Sequence, residues 1–366
     1  MNLRAVSPVF ALTVLLTACG DPEPIRIGFV GGLTGRSADI GESSRNAVQL
    51  AIKQANQSGG INGRMVELLV RDDTNDPSVA AAAVHELHAA GVDAIIGPNI
   101  SAIAEGMLPA LNELSMVTVS PTVSSLVFAD RDDYLFRINW TTRDNAKVYA
   151  RHYLDAGIRR IAAAVDANNR VFSESWLDEF TAEFTAGGGE VIGSEAFDST
   201  RSDSYAQTAL ALVDMKAEAL LLIANSVDTA QLTQQIRKID SDVLLIAAEW
   251  AASERLITLG GKAIEGIELV QSYNRNDQSD RYLAFRTAYR DHFQAEPDYA
   301  SVAAYDAATV LFKAFRQLDE HSSLKDSLLN LGEVEGLQQP ISFNAYGDAQ
   351  RRAFFVVVRD GQFQLK

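Results

Sequence analysis

From residue 25 onward, short apolar and β-branched runs alternate with longer stretches whose apolar positions recur every three or four residues. Residues 25–30 (IRIGFV) read as a strand, and 46–56 as a helix with Ala47, Val48, Ala51, Ile52 and Ala55 on one face. Strands at 65–70, 94–97 and 117–119 follow, separated by a helix at 77–90 and by a stripe of Ile103, Met107, Ala110, Leu111 and Leu114. Period-2 or continuous apolar runs alternating with period-3.6 segments predict repeated βα units and a parallel sheet.

The alternation then restarts. Strands are predicted at 161–165, 190–197, 219–224, 243–248 and 266–273, with helices at 172–185, 205–213, 229–239 and 252–259 between them. The unbroken run Leu220-Leu221-Leu222-Ile223 suits a strand covered on both faces. Two more helices, 279–293 and 301–318, come after this second set, and the chain ends on a hairpin signature at 353–358, Asp360-Gly361 and 363–365. The predicted fold class is α/β, with two doubly wound Rossmann-like lobes joined by a multi-strand hinge. Residues 25–141 and 274–343 are assigned to lobe one, 142–273 and 344–366 to lobe two. In such sheets a ligand sits at the carboxyl ends of strands, here in the cleft between lobes.

The first residues stand outside this pattern. Arg4 precedes an apolar run at 9–16 and then Leu16-Thr17-Ala18-Cys19. The run is too short for a membrane-spanning helix, which needs about 20 residues. It reads as a lipoprotein signal peptide, 1–18, with Cys19 as the lipidated first mature residue and 19–24 as a tether. Cys19 is the one cysteine among 366 residues, so no intramolecular disulfide forms, and lipidation explains an odd cysteine in an exported chain. A net charge of −16 disfavours nucleic acid, which needs a positive footprint. The expected location is periplasm or cell surface, with the chain lipid-anchored to a membrane.

Eight segments in order then carry a family resemblance. They are IRIGFVGGLTG (25–35), GESSRNAVQLAIKQANQSGGINGR (41–64), RDDTNDP (71–77), IIGPNISA (95–102), VTVSPTVSS (117–125), YLFRINW (134–140), EGIELVQSY (265–273) and AAYDAATVL (303–311). Together they resemble the branched-chain amino-acid binding proteins of ABC importers, which have the type I periplasmic binding protein, or Venus-flytrap, fold. The resemblance implies capture of a small solute, an amino acid or amide-like molecule, and delivery to an ABC permease in the inner membrane. It implies no cofactor and no enzymatic activity.

Matching positions in that family suggest the ligand contacts. Ser101, Thr122 and Ser124 match the groups that hold a carboxylate. Ser101 also opens a predicted helix, whose free N–H groups and dipole suit an anion; the alternative is a hydroxyl that caps its own helix. Thr122 and Ser124 lie in a polar loop after a strand, though Ser, Pro and Thr are also turn residues. Glu249, after the strand 243–248, matches the acid that holds the ammonium; the alternative is a solvated loop carboxylate. Phe172 stands where the family often has a tyrosine, and it competes with Trp176, Phe180 and Phe184 for a place in the core. Asn225 and Tyr273 are further cleft candidates, and Trp250 either walls the pocket or packs. Ile40 replaces an aromatic found in some relatives. Tyr305-Asp306 reads as structural.

Enzyme motifs fail on spacing. Gly28, Gly31, Gly32 and Gly35 do not form G-x-G-x-x-G, and no helix is predicted directly after them. His85 and His88 are three apart rather than the four that a helical zinc pair requires. No G-x-S-x-G elbow occurs. Two alternatives to solute delivery remain: a lipoprotein interaction module on the same fold, such as a cell-wall-synthase activator, and a sensor subunit.

Overall fold

The computed structural model describes residues 22–201, 203–319 and 321–366. Its first sheet is built by β1 (Ile25–Gly31), α1 (Ala38–Gln57), β2 (Val66–Asp72), α2 (Pro77–Ala89), β3 (Ala94–Ile96), α3 (Ser101–Glu113), β4 (Thr118–Ser120) and β5 (Leu135–Arg137). The five strands are parallel, in the order β2-β1-β3-β4-β5. Ile27 lies beside both Leu68 and Ala94, which places β1 between β2 and β3, where Ile25, Ile27 and Phe29 are buried.

The chain then crosses to α4 (Thr142–Asp155), β6 (Arg160–Asp166), α5 (Arg170–Ala186), β7 (Glu190–Phe197), α6 (Ser204–Asp214), β8 (Ala219–Ile223), α7 (Ser226–Ile239), β9 (Leu244–Ala247), α8 (Glu254–Gly260) and β10 (Glu268–Gln271). It returns for α9 (Asp280–Phe293), α10 (Tyr299–Gln317), α11 (Leu324–Leu329) and the short pair β11 (Val334–Glu335) and β12 (Pro340–Ile341). α9 and α10 pack on α1. A last crossing leads to β13 (Phe354–Arg359) and β14 (Gln362–Leu365), antiparallel additions to the second sheet, whose order is β14-β13-β10-β9-β8-β6-β7. The lobes are thus joined three times, the geometry of a hinge.

The fold is the predicted doubly wound pair. β8 is buried at every position, as its continuous apolar run implies. Two local readings change. The helix expected at 46–56 begins at Ala38, because the small polar residues that hid it are packing devices. A Cβ on Gly41 would meet the Gly32 carbonyl oxygen at 1.9 Å, and Ser43 and Ser44 donate to Asp298 and to the Ala300 carbonyl. Helix propensity is a weak prior that such tertiary contacts override. Residues 344–349, assigned to lobe two, instead lie against β5 of lobe one. Asp348 bridges to Arg137 at 2.6 Å with both side chains buried, and Phe343 packs edge-on to Phe136. Each partner leaves the other as an uncompensated buried charge if removed.

Candidate ligand site between the lobes

The lobe-one wall is made by the loops after β3 and β4. Gly97 has φ of +121°, and a Cβ there would meet the Val30 carbonyl oxygen at 1.9 Å, so only glycine lets this loop turn tightly against β1. The turn delivers Ser101 as the first residue of α3, with Ile100 at the cap position and no side-chain cap. Ser101 therefore does not cap its own helix. Its hydroxyl oxygen accepts from the Ser125 N–H at 3.4 Å, which leaves the proton available. The Thr122 hydroxyl donates to the Asn99 carbonyl at 2.7 Å and accepts from Asn99 Nδ2 at 3.2 Å. Its one proton is committed, so the lone pair that remains suits a donor such as an ammonium rather than a carboxylate. The Ser124 hydroxyl has no hydrogen-bond partner among the described residues and lines the same cavity.

Facing these groups from lobe two are Asn169, Phe172, Glu249 and Trp250, with Tyr299 at the start of α10 closing the side. Glu249 is buried. Asn145 Nδ2 donates to one of its oxygens and Trp176 Nε1 to the other, each at 2.9 Å. Burial pushes its carboxyl up to about 7, against the opposing pull of its own backbone N–H and of Trp176. Phe172 lies edge-on to Trp250, with ring centroids 5.4 Å apart, and both wall the cavity. Trp176, Phe180 and Phe184 instead stack into the core. The enclosed volume is about 20 Å³. That holds about one or two waters.

A second chamber of about 260 Å³ adjoins it and shares the walls Ile100, Asn169 and Trp250. Its other polar lining includes Arg36, Asn75, Asp166, Asn168, Thr200 and Asn225. Asn225 caps α7: its Oδ1 accepts the Asp228 N–H at 2.9 Å, and its Nδ2 donates to the Asp228 carboxylate at 2.7 Å.

Hydrogen bonds clasp the two lobes around these spaces. Arg36 pairs with the buried Asp228 at 2.8 Å, and Asp39 accepts from the hydroxyls of Ser226 and Ser253. At the amino end of α3, the Ala102 N–H donates to Asn169 Oδ1 at 3.1 Å, so an amide of lobe two already engages this helix terminus. The conformation is closed.

Of the residues singled out from sequence, Ser101, Thr122, Ser124, Phe172 and Glu249 meet around the inner cavity. Asn225 faces the outer chamber. Tyr273 lines neither: it is buried, and its hydroxyl accepts from Arg275 Nη2 at 3.0 Å. It sits where the chain leaves β10, and its ring packs there rather than turning into the cleft. Ile40 is buried and lines neither space. Cys19 lies outside the described residues. Asp306 accepts from the Leu337 N–H at 2.8 Å and from Arg351, so it ties the hinge segment to α10, while the Tyr305 hydroxyl donates to Gln54 of α1 at 2.6 Å. Sequence reasoning missed Asn99, Asn139, Asn169 and Tyr299. Asn169 carried a usable signal, since 166–169 is a polar loop at the carboxyl end of a strand. Tyr299 did not, because an aromatic at a helix start looks like core. Among the described residues no three metal-ligating side chains converge, and His85 and His88 are exposed.

Two hinged α/β lobes clasped around a polar, enclosed space define a solute-binding protein. The sequence matches the family described as periplasmic binding protein over residues 24–362, and the chain belongs to that family. It is similar to the Leu/Ile/Val-binding protein homolog 3 of Brucella melitensis, 24% identical over 97% of this chain and 96% of that one. The fold is shared with the LivJ substrate binding protein of Streptococcus pneumoniae in complex with isoleucine, at a TM-score of 0.85 and 20% identity, covering 93% of this chain and 98% of that one. It is also shared with a solute binding protein of R. palustris in complex with benzoate, at a TM-score of 0.84 and 16% identity, covering 93% and 95%.

Proposed function

We propose that this protein is the extracytoplasmic receptor of an ABC importer and captures an α-amino acid or a closely related small polar solute by hinge closure. Ser101 and Ser124, with the amino end of α3, hold the carboxylate, while Glu249 and the Thr122 oxygen hold the ammonium. Phe172 and Trp250 cover the solute from lobe two. The observation that supports this reading best is the buried Glu249 carboxylate, which faces free hydroxyls of the other lobe across the cleft. A buried carboxylate gains most from a cationic partner, which relieves its desolvation.

The inner cavity does not accommodate an amino acid as it stands, so docking occurs on lobe one with the lobes apart. Closure then follows to the extent that the solute makes contacts only the closed state offers. The Asn169 amide at α3 is the group a carboxylate displaces. Delivery to a permease and a lipid anchor on Cys19 complete the proposal. Calorimetry of the mature protein against the twenty amino acids, benzoate and simple amides tests the binding. Binding of an amino acid that is weakened at least tenfold in Glu249→Gln supports the reading; silence across the panel overturns it. Labelling with a palmitate analogue, lost in Cys19→Ala, tests the anchor.

A second reading draws on the same small volume. If the crevice stays filled by Phe172 and Trp250, the fold serves as an interaction module, for example toward a cell-wall synthase, or as a sensor. Silence in calorimetry together with capture of a synthase by the purified protein is its signature.

A further inference from the structure

We propose that the outer chamber is the side-chain subsite of this receptor and that it selects amino acids whose side chain ends in a cation, with Asp166 as the counter-charge. The inference rests on the reading of Ser101, Ser124 and Glu249 as the clamp for the α-carboxylate and α-ammonium. With those groups fixed in the inner cavity, a side chain has one place to go. The outer chamber adjoins it through the shared walls Ile100, Asn169 and Trp250, and its volume of about 260 Å³ has room for a long side chain where the inner cavity has none.

The chemistry of that chamber is unbalanced. Asp166, at the carboxyl end of β6, is 2% exposed and lines it. One of its oxygens accepts the Asn168 N–H at 2.8 Å, and the other has no partner among the described residues. Burial pushes its carboxyl up to about 7; Asp228 and Asp198 add to the rise, while the Asn168 N–H and the Arg36 cation oppose it without cancelling it. Arg36 is the one cation lining the chamber among the described residues, and it is already bound to Asp228 at 2.8 Å. Asp228 is further engaged by the Tyr205 hydroxyl and by Asn225, both at 2.7 Å. Asp228 is therefore satisfied and Asp166 is not. An apolar side chain laid into this space would strip the remaining water from Asp166 and return nothing. An ammonium or guanidinium would supply the missing donor and the missing charge together.

L-Lysine and L-norleucine provide the discriminating pair, since they differ chiefly in carrying an ammonium or a methyl at the end of the side chain. Titration calorimetry on the wild-type mature protein is expected to give lysine at least tenfold tighter than norleucine, and Asp166→Asn to narrow that ratio to threefold or less. Asparagine keeps the acceptor for the Asn168 N–H, so the loop retains its bond; should the variant fail to fold, the wild-type ratio alone decides. Norleucine binding as tightly as lysine overturns the proposal, as does a lysine preference that survives Asp166→Asn. Tight L-leucine or L-isoleucine with no lysine binding overturns it while leaving the α-amino-acid clamp intact. Absence of binding by every amino acid overturns both.

Discussion

The inner cavity and the outer chamber share Ile100, Asn169 and Trp250, yet their polar groups are satisfied in different ways. In the inner cavity the key acid is held from behind. Asn145 and Trp176 aim N–H donors at Glu249, so its position is set before any solute arrives. In the outer chamber Asp166 has a single backbone donor and an unmet oxygen. The inner space is almost filled by aromatic walls, whereas the outer space is open. Under the proposed function the two spaces divide the labour: a preorganised clamp would recognise what all amino acids share, and an under-satisfied chamber would read what distinguishes them. Preorganisation of the first kind lowers the ordering cost of binding. Incomplete satisfaction of the second kind rejects solutes that cannot complete it.

The largest effect expected is on Glu249. Glu249→Ala removes the partner proposed for the ammonium and strands the Asn145 and Trp176 donors, for an expected loss of roughly 3 kcal/mol or more, about a hundredfold in affinity, read by calorimetry. If the loss is below threefold, the inner clamp is misassigned and the contrast collapses.

The next effect is a pH dependence. With its carboxyl raised to about 7, Glu249 is protonated below that pH and cannot pair with an ammonium, so affinity for an amino acid is expected to fall as pH drops from 8 to 6. The ligand-free stability moves the other way. The folded state binds a proton that the unfolded state, titrating at 4.5, has lost, so stability declines as pH rises from 4.5 through about 7 and is level above. The full contribution is on the order of 3 kcal/mol. Glu249→Gln lacks this slope, and Asn145 can rotate its amide to meet the new one. Its Tm relative to wild type should therefore grow from pH 5 to pH 8; parallel curves would show that Glu249 titrates normally.

Asp39→Ala, which touches neither cavity, should cost about 1–2 kcal/mol of closure by removing two inter-lobe hydrogen bonds to a charged acceptor. Small-angle scattering of the ligand-free protein should show a larger radius of gyration, with affinity down about tenfold. An unchanged radius would mean that the hinge, not this clasp, holds the lobes together. Smallest of all, Thr200→Ala on the rim of the outer chamber is expected to change amino-acid affinity by less than about twofold, since its hydroxyl already donates to Asp198 and exposed contacts carry little. A tenfold loss would move the subsite outward from Asp166.

Much of this architecture was legible in the chain. Alternating periods predicted two doubly wound lobes, and the returning helices implied more than one crossing. These are local signals: apolar spacing determines which face of a helix or strand is buried whatever the rest of the chain does. Family likeness pointed to Ser101, Thr122, Ser124, Phe172 and Glu249, and these residues converge. The amino end of α1 was not legible, since Gly41, Ser43 and Ser44 become helical only against Gly32, Asp298 and Ala300, residues remote in sequence.

Tertiary structure alone decided the rest. Arg36 meets Asp228 across 192 positions, and no window of sequence contains both. Tyr273 faced the core rather than the cleft because the exit from β10 turns that way. The commitment of the Thr122 proton to Asn99, the filling of the inner cavity and the unmet oxygen of Asp166 are likewise facts of assembly. Residue types and their spacing select an element and its buried face; whether a polar atom is satisfied depends on which groups the closed fold brings within about 3 Å of it.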